Sequence, residues 1–437
     1  MAKRFLWIVL VCMIGAHAAN LDDTEQLSIM ADIRELQKGA VKKYALQDLL
    51  KAADSNYSLQ SKALATLQSK KDVMIQTLRG FIPSVNIKYK FNNNERTQSI
   101  YRNYNTQQGL GTFTFNLFNG YADINAIKEK NATYLSKLAD EGYTRENIYL
   151  QVAQQYYGYF DNLVRLISLQ KKFRQIQSDV ARVDKLYTQG LSPIDDLESL
   201  KAQASQSEYQ IANAKLAIEQ NKLMLELLTN LKVEGLIFSK IRMPNFGLQD
   251  RLDIISLNEQ INVLRYQNKQ MHFYPVVDLD DTFTYNIEKP AFARGPLSYI
   301  YPTIQNSFGA TVTMKVLDNV GLSIQKQSTR IAQLSNEKML TYKKLEQKKD
   351  EELYRMTLEI AQKQIQSARD NLKSASIAFE SKKKKYEANL ITFTEYLQAL
   401  SMKFDAESTF NQSINNFEFQ KANYIFYSGQ KIKNYIN

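Results

Sequence analysis

The chain has 437 residues, 56 Lys+Arg against 45 Asp+Glu, a formal net charge of +11, one cysteine and two histidines. That length accommodates two or three ordinary domains, and so few Cys and His exclude disulfide frameworks, thiolate metal sites, cysteine nucleophiles and most histidine acid–base chemistry. The basic residues are spread along helical patterns and read as solvated faces, so no nucleic-acid partner is expected.

Lys3 and Arg4 precede an apolar run from Phe5 to Ile14, and Ala16-His17-Ala18 offers an A-x-A cleavage site. Residues 1–18 therefore read as a cleavable secretory signal peptide, with an apolar run too short to span a bilayer. Val11 stands before Cys12, where a lipoprotein signal wants a small residue, so no acylation is expected. Cleavage would remove Cys12, leave His272 as the sole histidine and lower the net charge from +11 to +9 with the loss of Lys3 and Arg4. Beyond this segment no run of about 18 apolar residues occurs, so no transmembrane helix is expected. An exported chain of this kind is soluble or crosses a membrane as a β-barrel. The supply of 26 Tyr and 21 Phe against one Trp suits interfacial girdles or packed helix seams equally.

Residues 19–40 read as a loosely ordered lead-in. From Lys42 to Leu78 the apolar residues recur at helical spacing; Gly80 should end that helix and Pro83 forbid its return. Strict alternation then predicts a strand at about 84–91, and a second at about 111–117 follows a polar loop. A helical pattern without proline runs from Tyr121 to about Gln189, which would span roughly 100 Å. Gly190-Leu191-Ser192-Pro193 makes a turn, and Leu197, Leu200, Ala204, Ser207, Ile211, Ala214, Ile218, Asn221, Leu225 and Leu228 then keep the 3,4 spacing of a coiled-coil seam. Residues 41–228 thus form a first repeat, closed by an antiparallel helical hairpin at 121–228. Residues 229–250, with Gly235, Pro244 and Gly247, read as a linker. A second repeat at 251–428 follows the same plan: a helix up to about His272, strands at about 276–285 and 308–316, and a hairpin at 321–428 in which Tyr396, Phe410, Phe417 and Tyr424 keep a seven-residue rhythm that Lys403 interrupts. Residues 429–437 form a tail.

The duplication is written in the motifs. Leu117-Phe118-Asn119-Gly120-Tyr121 recurs as Val316-Leu317-Asp318-Asn319-Val320, and Tyr187-Thr188-Gln189-Gly190-Leu191 recurs as Tyr386-Glu387-Ala388-Asn389-Leu390, both at an offset of 199. Two landmarks with one offset hold the long helices to a common length. Four strands cannot close a barrel, and an open sheet in hydrocarbon leaves its edge groups unpaired. Strands that span a bilayer must therefore be shared among several chains.

This plan resembles the TolC-like outer-membrane efflux proteins, with Leu117–Tyr121 similar to the family's strand-to-helix signature and Tyr187–Leu191 to its periplasmic hairpin tip. The resemblance covers about Leu46 to Ser428. It implies an α+β membrane protein: a homotrimer sharing a twelve-stranded β-barrel in the outer membrane, four strands per chain, continued into the periplasm by an α-helical coiled-coil tunnel. It further implies a passive exit duct for a tripartite efflux pump or a type I secretion system, with a periplasmic adaptor and an inner-membrane transporter as partners and no cofactor or bound metal. Leu117, Phe118, Asn119, Gly120, Asp318 and Asn319 would make the strand-to-helix turns.

In this family the tunnel closes at its periplasmic end, at a ring of acidic residues. Asp196 and Glu395 each lie nine residues after a hairpin tyrosine and match family positions near that entrance. In a trimer three Glu395 carboxylates would attract cations and raise one another's pKa; alternatively, each acid simply suits the N-terminus of a helix. Tyr386 would bond across the entrance or pack at the tip. Gly190, Leu191 and Ser192 in the first tip, with Asn389, Leu390 and Ile391 in the second, are the natural places for an adaptor to dock. This chain departs from the family at Asn389, which replaces a glycine, at Ile391, which replaces a basic residue in some members, and at Gln398, which replaces a second acid. Its closed state is therefore expected to use different contacts.

No nucleotide-binding, zinc-protease or nucleophile-elbow motif occurs, so an enzyme is not expected. An exported structural or adaptor coiled-coil protein remains the alternative, although it leaves the duplicated strand pairs without a purpose.

Overall fold

The computed structural model describes residues 31–94, 104–289, 302–314, 319–388 and 390–436. The signal segment, Asp318 and Asn389 lie outside them. The described elements are helix α1 (31–36), strand β1 (Lys43–Tyr44), α2 (Leu46–Ala53), α3 (Tyr57–Phe81), β2 (Ser84–Asn94), β3 (Tyr104–Phe118), α4 (Ala122–Thr188), α5 (Ile194–Thr229), β4 (Gly235–Leu236), α6 (Leu252–Gln270), β5 (Val276–Glu288), β6 (Ile304–Thr313), α7 (Asn319–Glu387), α8 (Phe393–Tyr427) and a 3₁₀ turn (Ile432–Tyr435). They fall into two compact units. The sheet unit is drawn from Ser61–Gly142 and Leu252–Lys344, and the helical unit from the rest.

In the sheet unit, β2-β3-β5-β6 form one antiparallel sheet in that order. Its register sets Val85 opposite Phe113, Gly111 opposite Phe283, and Tyr285 opposite Ile304. Period-2 alternation then places Val85, Ile87, Tyr89, Phe113, Phe283 and Phe308 on one face, and most of that face is exposed in the lone chain. Lys88, Lys90, Thr112, Thr114, Asp278 and Asp280 share the other face. Asp281, opposite Phe113 and Phe308, interrupts the apolar face, and its Oδ1 is buried without a hydrogen-bond partner. Among the described residues, β2 and β6 each pair on one side only.

The strands are longer than their alternation implies. Residues 92–94, 104–110 and 286–288, which read from sequence as loop, are strand because their polar side chains pair across it. Tyr89 Oη donates to Gln107 at 2.9 Å, the Gln107 amide to Glu288 at 2.7 Å, and the Gln108 amide to Asn286 at 2.8 Å. In β6 the strand begins four residues before the predicted start, at Ile304, and ends at Thr313.

The helix expected across 42–78 is interrupted. Asn56 accepts from the Ser58 N–H at 2.9 Å and donates to the Leu228 carbonyl at 3.0 Å, so the chain turns between α2 and α3. Gly80 does not end α3, which runs to Phe81 before Pro83.

β3 enters α4 through a left-handed pair, Gly120 (φ 64°) and Tyr121 (φ 65°). A Cβ on Gly120 would lie 2.3 Å from the His272 ring, so backbone conformation and space both demand glycine. Asn119 holds the turn: its Oδ1 accepts from the Asp123 N–H at 3.4 Å, and its amide donates to the Asp123 carboxylate.

α4 and α7 have 67 and 69 residues, roughly 100 Å each. α4 ends at Thr188 and α7 at Glu387, while α5 begins at Ile194 and α8 at Phe393; both pairs keep the offset of 199. The α5 seam is buried at Leu197, Leu200, Ser207, Ile211, Ala214, Ile218, Leu225 and Leu228. Lys403, the break in the α8 rhythm, stays near the seam by laying its ammonium 4.7 Å from the centre of the Phe379 ring. Among the described residues no helix is long and apolar enough to cross a membrane.

The segments read as lead-in, linker and tail are knitted into the helical unit. Ile33 is buried, Asp32 meets Lys171 at 2.8 Å and Gln37 donates to Tyr159 at 3.0 Å, so 31–37 is docked rather than loose. β1 pairs with β4. The Ile241 N–H donates to Glu418 at 2.7 Å, its carbonyl accepts from Lys421 at 2.9 Å, and the Gly247 N–H donates to Tyr424 Oη at 3.1 Å. In the tail, the Ile432 N–H donates to buried Glu146 at 2.9 Å.

Two predictions follow from these contacts. Gly120→Ala should destabilise the sheet unit by about 2–3 kcal/mol, through positive-φ strain and the clash with His272; an unchanged denaturant midpoint of refolded protein would refute this account of the turn. The second concerns Asp161 on α4, whose carboxyl accepts from the Asn415 amide at 2.7 Å and is pushed by burial from 3.8 up to about 7. Between about pH 4 and pH 7 the folded chain keeps a proton that the unfolded chain releases, so stability falls as pH rises through that window. Asp161→Asn should therefore stabilise the protein by about 2 kcal/mol at pH 8 and have little effect near pH 4. Equal gains at both pH values would show that the buried charge is not the cost.

Candidate functional site

The two hairpin turns lie in the helical unit and differ in how they are built. At the first, Gly190 takes φ 72°, its N–H donates to the Tyr187 carbonyl at 2.9 Å, and the Leu191 N–H reaches back to Leu186 at 2.8 Å. This left-handed glycine cap satisfies the last carbonyls of α4. At the second, the Leu390 N–H makes the equivalent bond to Lys385, also 2.8 Å. Leu191 and Leu390 are 72% and 73% exposed, large for leucines on a tip; Ser192 and Ile391 are half-buried, and Ile391 packs on the adjoining core.

α5 starts after Pro193, which offers no side-chain cap, with Asp195 and Asp196 in its first turn. Burial, and then the charge of Asp195, hold the Asp196 carboxyl above its ordinary pKa. α8 starts at Thr392, whose hydroxyl accepts from the Glu395 N–H at 3.3 Å. Glu395 and Gln398 are exposed, and Glu395 occupies a first helical turn where a carboxylate is favoured by the dipole.

Tyr386 lies between these starts. Its ring stacks on Tyr396 at 4.8 Å between centroids and tilts against Phe393 at 5.8 Å, while the Arg182 guanidinium sits 4.8 Å from its centre. Burial raises its pKa against the pull of Arg182, and the charge of Asp196 adds to the rise. Of the expected set, Tyr386 packs against the start of α8, while Glu395 and Gln398 stay on the exposed side of that helix.

A cluster absent from the sequence reading lies beside Tyr386. Asp179 accepts from Tyr396 Oη at 2.8 Å, from the Gln175 amide at 3.3 Å and from Arg182 at 3.4 Å, and Gln175 also donates to Tyr396 Oη at 3.1 Å. The visible signal was Asp179 itself, an acid in an α4 seam otherwise kept by Ile176 and Val183. Among the described residues no group of three or more His, Cys, Asp or Glu is placed to hold a metal ion.

At the other end of α4, Leu117 is exposed, Phe118 meets Tyr121 edge-to-face at 5.6 Å, and Gly120 is buried against His272. Asn319 is the first residue of α7.

A four-stranded antiparallel sheet feeding two very long helices, each folded back as a hairpin and the whole plan performed twice, is the TolC-like fold of solved outer-membrane channels. The chain is similar to CusC, crystallised in connection with folding and transmembrane channel formation, with TM-score 0.79, 14% identity, and 88% of this chain and 92% of that one covered. It is similar to the Campylobacter jejuni CmeC outer membrane channel, with TM-score 0.78, 13% identity, and coverage of 88% and 85%. It is also similar to the outer membrane protein VceC of Vibrio cholerae, with TM-score 0.77, 14% identity, and coverage of 89% and 96%. No protein-family model and no curated protein sequence matches the chain. At these identities the likeness is one of fold.

Proposed function

We propose that the chain is one protomer of a homotrimeric outer-membrane channel, a passive exit duct for a tripartite efflux pump or type I secretion system. The observation that carries this reading is the sheet: its apolar face is exposed and, among the described residues, its outer edges lack partners. In water an apolar face of that extent invites aggregation. In a bilayer it faces lipid, and the open edges pair with those of neighbouring copies, since hydrocarbon tolerates only closed barrels. Three copies supply twelve strands. The helices support the same reading, because apolar side chains remain exposed on each unit separately, at Leu64, Leu67 and Met74 on α3 and at Tyr209, Leu216 and Leu223 on α5. Neighbouring protomers would cover them.

The duct itself hydrolyses nothing; an inner-membrane transporter supplies the energy. A periplasmic adaptor docks at the tips through Gly190, Leu191, Ser192, Asn389, Leu390 and Ile391, with Leu191 and Leu390 as exposed apolar contacts. Docking shifts the population from closed to open. Glu395, Asp196, Tyr386 and Gln398 line or brace the constriction, three Glu395 carboxylates forming the ring that meets cations.

The mature chain, exported to the outer membrane, should resist carbonate washing and run in detergent as a species three times the mass of one chain. Release by carbonate as a monomer would sink the channel reading in favour of an exported adaptor or structural coiled coil. In reconstituted pores, Glu395→Ala should weaken block by divalent cations roughly tenfold, through loss of clustered charge. Unaltered block would leave Glu395 as a helix-start residue only.

A further inference from the structure

A cleft of about 610 Å³ opens in the sheet unit between the end of α6, the first residues of β5 and the first turns of α7. That volume suits a small organic molecule. Among the described residues, no side chain with a formal charge lines it. Its most constrained polar groups are the amides of Gln267 and Gln270, whose orientation is fixed from behind. Glu129, on α4, accepts the Gln267 amide N–H on one carboxylate oxygen at 3.1 Å and the Gln270 amide N–H on the other at 2.8 Å. Both nitrogens are thereby engaged, and each amide has its carbonyl oxygen left for the cleft. Among the described residues no donor meets either oxygen. Gln325 and two threonines nearby can present either polarity.

The remaining walls are aromatic and apolar. Phe273 and Tyr274 are exposed at the rim, and the His272 ring lies 5.7 Å from that of Tyr274. His272 Nδ1 accepts from the Tyr274 N–H at 3.2 Å. A ring nitrogen that accepts carries no proton, so the histidine brings no positive charge. The field in the cleft is therefore negative. Two carbonyl oxygens are turned away from Glu129, the aromatic faces carry negative potential, and a carboxylate stands one amide behind. Lys130 is 3.9 Å from that carboxylate, beyond hydrogen-bond distance, and compensates its charge only in part. Such a field repels an anion and offers a cation acceptors that are already oriented.

We propose that this cleft binds an organic ammonium ion with an apolar substituent. The carbonyl oxygens of Gln267 and Gln270 take the charged end, the rings of Phe273 and Tyr274 flank it, and Val276 and Leu322 cover the substituent. The site is complete within the sheet unit and goes beyond the channel reading. On that reading it lies where strands give way to helices, at the bilayer surface. Two sources present the same chemistry there: the ethanolamine head of a phospholipid and a lipophilic cation in transit.

The test is equilibrium dialysis of benzyltrimethylammonium, with benzyl alcohol as the uncharged comparison, against the purified mature chain in a non-ionic detergent. The wild type should hold the cation about tenfold more tightly than the alcohol. Glu129→Gln, which keeps the shape and removes the charge behind the amides, should cut that preference roughly fivefold. Tyr274→Leu, at an exposed rim position, should cut it about threefold, and it carries the test if Glu129→Gln fails to fold. Competition by glycerophosphoethanolamine stronger than by ethanolamine assigns the site to a phospholipid head, and equal competition assigns it to a free cation; either result keeps the site. Equal retention of cation and alcohol by the wild type, or an unchanged preference in the folded variants, overturns it. Neither outcome touches the channel reading, which fails separately if carbonate releases the protein.

Discussion

Among its described residues the chain leaves its own sheet open at both edges. Four antiparallel strands carry their apolar side chains on one face, as the pairing of Val85 with Phe113 and of Gly111 with Phe283 requires. A one-residue slip would exchange the two faces, so this register is held by every alternate side chain at once. No described residue pairs with the outer edge of β2 or of β6. In water such an object is a hazard, and in lipid it is a fragment. The other features of the molecule make sense as the means of joining and positioning that fragment: the left-handed turn at Gly120, the uninterrupted run of α4, and the common offset that matches the two hairpins.

The helical unit meets a second constraint. Helices of this length gain little from local propensity and are held by their seams. The α5 seam is apolar with small or polar gaps, whereas the α4 and α8 seams admit Asp179, Asp161 and Lys403. Each is accommodated differently: Asp179 by three donors, Asp161 by burial that favours its protonated form, Lys403 by resting on an aromatic ring. Polar seam positions lower stability and raise specificity of register. Away from the tips, the linker and tail press the unit together through Ile241, Gly247 and Ile432.

Much of this was legible before any coordinates. Alternation located the central part of all four strands, the 3,4 spacing located the α5 seam with Ala204 and Asn221 only half-buried, and two short motifs at one offset announced the duplication. These signals are local or periodic, and periodicity survives in a linear sequence. The errors have a common origin too. Residues 104–110 and 286–288 read as loop because their polar side chains satisfy each other across strands, through Gln107 with Glu288 and Gln108 with Asn286. The break at Asn56 was hidden because its partner is the carbonyl of Leu228, 172 residues away.

By itself, then, the sequence determined the kinds of element, the lengths of the long helices and their twofold repetition, since each of these depends on neighbours within a turn or a pleat. The tertiary structure alone decided which buried charges are paired, that His272 closes over Gly120, and that Asp179 meets Tyr396. Those outcomes depend on distances between residues far apart in the chain, and no spacing along the backbone encodes them.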